Sequence, residues 1–173
     1  MINTRRKIFG GALALAGLPF LLAFRNAAVA GTQAASKAKV KLLNPWKWQD
    51  AHGFSQGALL PAGAAIFACA GQTSVDANGS PLHPGDMEKQ VLTALENLET
   101  VLRAGGATLS DVIKLNYYVT DIQAFFTAQP ALNKRLAEFD CKPTSTLLGV
   151  AALFHPDIMF EIEATAIVPD TNS

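Results

Sequence analysis

Two glutamates, Glu161 and Glu163, stand two positions apart in an apolar run from Ile158 to Val168, where Phe160, Ile162, Ala164 and Ala166 take the other parity. In an extended strand this spacing puts both carboxylates on one face, where each raises the proton affinity of the other unless a cation lies beside them. Lys114 is a candidate for that cation. A carboxylate tuned in this way can act as general acid or base, and the same pair can equally be a structural ion pair beside an exposed acid. A second polar cluster, Thr144-Ser145-Thr146, follows Pro143 at the start of a strand-like stretch. Alternate members of the trio can point into a cleft and hold a small polar ligand, or the hydroxyls can satisfy turn amides. No Gly-x-Ser-x-Gly elbow supports a nucleophilic serine.

Other chemistries find little support. His52, His83 and His155 are scattered without ligand spacing to one another or to a cysteine, so no metal site is expected. Cys69 sits in an apolar strand and Cys141 in a loop, and Cys69 reads as a small buried hydrophobe rather than a disulfide partner. There is no P-loop, dinucleotide fingerprint or aromatic-basic surface. The 14 basic residues balance the 14 acidic ones overall, but from Asp50 onward six basic residues face all 14 acids, a net charge of −8. That imbalance argues against a protein that neutralises a nucleic-acid backbone.

The elements that must position these residues follow from periodicity. Residues 1–30 carry Arg5, Arg6, Lys7 and Arg25 and no acid, an apolar stretch over 8–24, and Ala28-Val29-Ala30 at cleavage spacing. This resembles a twin-arginine export signal, which implies a periplasmic protein without stable membrane association after cleavage. Residues 31–49 read as a spacer and lead-in segment that docks Trp46 and Trp48. Gly57 to Leu60 and Ala64 to Ala70, around the Pro61-Ala62-Gly63 turn, predict a hairpin. From Asp86 as N-cap, Met87, Val91, Ala94, Leu95, Leu98, Val101 and Leu102 predict a helix stopped by Gly105-Gly106. Val112 to Val119 alternates as a strand with Ile113, Leu115, Tyr117 and Val119 on one face. Asp121 caps a second helical region that Pro130 is expected to divide into 122–128 and 130–139. A strand over 144–153 turns through 154–157 into the last strand. The order ββαβαββ predicts an α+β fold, a mixed sheet with two helices on one face, whose other face is buried by self-association.

Spread over 50–168, a set of short motifs falls in a known order: Phe54-Ser55-Gln56-Gly57, Gly71-Gln72, Gln90 with Ala94-Leu95-Glu96-Asn97-Leu98, Gly106 to Lys114, Tyr118 to Asp121, Asn133, Pro143, Val150 to Leu153 and Phe160-Glu161-Ile162-Glu163-Ala164. The set resembles the RidA/YjgF family, also called L-PSP. The resemblance implies a chorismate-mutase-like fold, a homotrimer with ligand clefts between subunits, and cofactor-free hydrolysis of reactive imines and enamines. It further implies a catalytic role for Glu161 in orienting or activating water. Phe54, Gly71, Gln72 and Asn133 match cleft positions, and Ser145 and Thr146 are expected to add polar contacts.

One motif departs. The family's Pro-Ala-Arg-Ser/Thr is here Pro143-Thr144-Ser145-Thr146, so Ser145 stands where an arginine grips the substrate carboxylate. Losing a bidentate guanidinium contact forfeits roughly 1.5–3 kcal/mol, or about one to two decades of binding. The expected substrate is therefore not a simple carboxylated imino acid, and neutral or cationic ligands are favoured. The alternatives are a non-catalytic trimer that binds a small ligand and, last, an endoribonuclease.

Overall fold

A computed structural model of the chain describes residues 40–168. The leader expected over 1–30, most of the spacer and the tail lie outside the described residues.

The strongest apolar periodicity forms α1, Met87–Ala104. Asp86 caps it, its side chain accepting a hydrogen bond from the Lys89 amide. Gly106, at φ 76°, ends it in the left-handed conformation that glycine adopts freely. Its amide reaches the Arg103 carbonyl and the Ala107 amide reaches that of Leu102, a Schellman stop. The second helix, α2, runs unbroken over Ile122–Ala137 with Asp121 as N-cap. The expected division at Pro130 does not occur. Phe125, Ala128, Leu132 and Leu136 bury one face across the proline, while Pro130 itself is exposed. Packing outweighs the one amide donor that proline lacks.

Among the described residues six strands accompany the helices: β1 (Lys41–Leu43), β2 (Gly57–Leu59), β3 (Ile66–Thr73), β4 (Val112–Val119), β5 (Thr144–Gly149) and β6 (Phe160–Ile167). The main sheet has the order β3-β6-β4-β5, with β6 antiparallel to both neighbours and β5 parallel to β4. Parallel β4 and β5 are joined through α2, as such a pair requires. The expected hairpin is corrected: β2 pairs with β1, and β3 crosses away to pair with β6. Three residues of β2 offer little to hold the apolar β3, whereas β6 matches it over most of its length. The last two strands are not neighbours either, since β6 inserts between β3 and β4. The strand expected from 144 ends at Gly149.

Both helices cover one face of this sheet. Leu115, Tyr117 and Val119 from β4 and Phe160, Ile162, Ala164 and Ala166 from β6 pack beneath Leu95, Leu98, Leu102, Phe125 and Leu132. The Phe125 and Phe160 rings stack at 5.7 Å. An irregularity between Val112 and Lys114 turns Val112 into the core and leaves Ile113, expected there, only partly buried.

Gln90, fully buried on α1, fixes where β6 begins. Its amide nitrogen donates to the carbonyls of Asp157, at 2.6 Å, and His83, at 3.1 Å, and its amide oxygen accepts from the Met159 amide at 2.7 Å. A leucine there would orphan all three backbone groups. Gln90→Leu is expected to lower unfolding stability by roughly 3 kcal/mol, measured by denaturant titration.

Candidate functional site

Glu161 lies half-buried on the face of β6 that the helices leave open, level with Thr73 of β3 and Tyr118 of β4. A register shift between Cys69 and Gln72 brings Gly71 against it. A Cβ on Gly71 would come within 1.7 Å of Glu161 Oε1, so any side chain there would force the carboxylate out of this position. Gln72 folds back, donating from Nε2 to the Ala70 carbonyl at 3.2 Å. Asn97 of α1 holds this region from beneath through Nδ2 bonds to the carbonyls of Thr73 and Val75.

Glu163 shares the open face. It accepts from Asn116 Nδ2 at 2.5 Å and from the Tyr118 hydroxyl at 3.0 Å. The expected partner, Lys114, forms no ion pair among the described residues, although it lines a small polar hollow with Glu163. Neutral donors thus hold Glu163, and its charge still reaches Glu161. Burial first, and the Glu163 charge second, push the Glu161 carboxyl above the usual glutamate range.

A separate cavity of about 260 Å³ opens on the other side of the sheet. Its first wall is the 3-10 turn Trp48–His52 with Phe54 just beyond it. The Ser55 amide bonds to the Pro143 carbonyl at 2.8 Å, which lays this segment along the start of β5 and sets Phe54 near Ser145. Gly53, at φ 73°, makes the bend, and a Cβ there would lie 3.4 Å from Asn133 Cγ. Phe126, Gln129 and Asn133 descend from α2, Ser145 and Leu147 rise from β5, and Tyr117 and Phe125 form the floor.

The residues singled out by sequence therefore separate into two groups. Phe54, Asn133 and Ser145 meet in the cavity, while Gly71, Gln72 and Glu161 form the other group. Ser145 is level with Leu115, whose side chain is in the core, and Glu161 with Tyr118 on the open side, so the two groups occupy opposite faces of one sheet. Thr146, level with Asn116, is exposed and does not line the cavity. Thr144 turns its hydroxyl to the Ile113 carbonyl.

Trp48, His52, Tyr117, Phe126 and Gln129 were missed as cavity residues. Trp46 and Trp48, expected to dock, remain 59% and 58% exposed, Trp48 resting edge-on against Phe54 at 5.6 Å. Among the described residues, no arginine lines the cavity. Arg135 is committed within its own chain, gripping Glu99 through Nε at 2.9 Å and Nη2 at 2.8 Å, and Arg103 also leans on Glu99. The two cysteines are free and buried, and burial pushes the Cys141 thiol up to about 12.

Residues 47–168 match the sequence pattern of the family described as Endoribonuclease L-PSP, and the chain belongs to that family. A RutC family protein of Pyrococcus horikoshii is 34% identical over 109 residues, covering 62% of this chain and 82% of that protein. A 2-iminobutanoate/2-iminopropanoate deaminase of Dermatophagoides farinae is 28% identical over 57% of this chain and 74% of its own. Among solved structures, YyfB of Yersinia pestis, from the conserved Rid protein family, matches 75% of this chain and 99% of its own with a TM-score of 0.66 at 31% identity. The α+β fold with two helices on a mixed sheet is that of these relatives.

The raised Glu161 carboxyl has a definite pH signature. Folded protein holds this proton more tightly than unfolded chain, so stability falls as pH rises from the ordinary glutamate range through the raised value. Glu161→Gln should flatten that part of the stability profile. Glu163→Gln removes the second cause and should shift the same transition toward lower pH, without restoring the ordinary value because burial persists. Denaturation midpoints across pH 4 to 8 check both outcomes, within the range where such groups titrate.

Proposed function

We propose that the protein is a cofactor-free hydrolase of imines or enamines that works in clefts between the subunits of a homotrimer. One observation carries the reading: the acid group and the cavity group lie on opposite faces of one sheet, so neither completes a site within a single chain. A neighbouring copy that presents its Gly71-Gln72-Glu161 edge to the cavity would complete it. The open sheet face, with Ile66 60% exposed at the Ile167 end and half-buried Tyr118 and Glu163 toward the other, suits burial against another copy. The deaminase name carried by a relative supports the same chemistry.

In that cleft Phe54 and its neighbours exclude bulk water, while Asn133 and Ser145 orient the polar end of the substrate. Glu161 takes a proton from a water molecule as its oxygen bonds to the imine carbon. The resulting carbinolamine gains a proton on nitrogen, the carbon–nitrogen bond breaks, and a carbonyl product and ammonia leave. A glutamate whose carboxyl is raised above its ordinary value by burial and by Glu163 holds the accepted proton more firmly than a free carboxylate and can return it to the leaving nitrogen.

Ser145 in place of arginine directs the site away from carboxylated imino acids. It also favours a second reading, a ligand-binding trimer without turnover. The charge of −8 from Asp50 onward counts against the endoribonuclease activity in the family's description. The leader with Arg5 and Arg6 we read as an export signal to the periplasm, which cell fractionation of an Arg5→Lys, Arg6→Lys variant checks by retention inside the cytoplasm.

Ammonia release from freshly generated imines separates the readings. For the enzyme, Glu161→Gln should lower kcat/KM on carboxylate-free imines by about 10²–10⁴ with the trimer intact. Ser145→Arg should raise activity on 2-imino acids by one to two decades. A wild-type protein inert to all imines, with turnover only after Ser145→Arg, establishes the binding trimer instead.

A further inference from the structure

Resting on the hydrolase reading above, we infer that the substrate is an uncharged aryl imine, its ring held in the cavity by Trp48, His52, Phe54 and Phe126. Three of these rings already form a continuous wall. Trp48 meets Phe54 at 5.6 Å and 70° and His52 at 6.2 Å and 68°, and His52 lies 6.5 Å from Phe54. Such edge-to-face sets leave ring edges and faces free to take a further ring in offset or T-shaped contact. Phe126 projects from α2 across the cavity and is 49% exposed, as Trp48 is at 58%. Two large apolar side chains at one mouth, neither buried in this chain, gain most from a flat apolar guest.

Charge narrows the class further. Among the described residues that line the cavity there is no Asp, Glu, Lys or Arg. A carboxylate finds no clamp, and the one acid of the shared cleft, a neighbouring copy's Glu161, is taken up by the water it activates. The polar groups present include the Gln129 and Asn133 amides and the Tyr117 and Ser145 hydroxyls, which suit a neutral nitrogen or oxygen. The cavity, about 260 Å³ within one chain, has room for one ring with a short tail.

The balanced reaction adds water to the C=N group of an arylalkyl imine and releases an arylalkyl aldehyde and ammonia. The reaction that supplies such an imine is the two-electron oxidation of a primary arylalkylamine by a separate enzyme, whose dioxygen or redox cofactor accepts the two electrons. In such an amine no carboxylate accompanies the nitrogen, consistent with Ser145 at the clamp position.

The chain has two tryptophans, Trp46 and Trp48, so Trp46→Phe leaves one indole, on the cavity wall. Phenylacetamide should change its emission saturably, and phenylacetate and butyramide should bind at least about tenfold more weakly. Phe126→Ala should weaken phenylacetamide binding by a similar factor. Phenylacetate or butyramide binding as tightly as phenylacetamide overturns the inference. Ammonia release from the imine of 2-phenylethylamine should exceed that from the imine of butylamine by at least about tenfold in kcat/KM. Equal turnover of the two overturns the aryl assignment and leaves the hydrolase standing. Saturable phenylacetamide binding with no imine turned over overturns the hydrolase, and with it the assignment of an imine as substrate.

Discussion

Side chains along a strand point alternately to opposite faces, and this alternation governs what one copy of the chain can do. Registered across β4, it commits Ser145 to the helix-covered side and Glu161 to the open side. No side-chain rotation reverses that. Each chain therefore carries Glu161 on one face and the cavity on the other, and in the proposed function the two are joined where copies meet. The half-polar, half-apolar open face is the surface on which such a meeting can occur.

The two halves are held by different means. The acid edge is set from beneath by α1, through Gln90 at the start of β6 and Asn97 at the end of β3, while Gly71 leaves room for the carboxylate. The cavity is set by an irregular segment, whose short turn reaches β5 through one backbone hydrogen bond from Ser55 to Pro143. Rigid helix-to-strand bonds suit a group whose protonation must be controlled. A wall built on a 3-10 turn is where residues can change without disturbing the core, and here that wall is aromatic.

This division also decides what could be read from sequence. Helix α1, its cap and its stop were legible because each rests on local periodicity and local turn chemistry. Glu161, Ser145, Phe54 and Asn133 stood out through an ordered set of motifs. Strand pairing was less legible: the apolar run of β3 does not say whether its partner is the preceding segment or β6, and the nearer choice was wrong. Pro130 misled because its local effect was weighed without the buried face of α2 that spans it. The bulge at Val112 shifted a strand face by one residue. Trp48, His52 and Phe126 were unreadable as cavity residues because contacts between remote segments bring them together. That Glu161 and Ser145 face opposite ways depends on the register of both strands with β4, which neither segment contains.

The central claim is that each site is shared between subunits, and mixing two inactive variants tests it most directly. Glu161→Gln keeps the cavity and loses the acid; Ser145→Phe fills the cavity and keeps the acid. Unfolded and refolded together in equal amounts, the two chains assemble at random, and about one quarter of the clefts combine an intact cavity with an intact Glu161. The account predicts ammonia release at about a quarter of the wild-type rate from the mixture, with none from either variant refolded alone. Mixed trimers no more active than the separate variants would contradict a shared site.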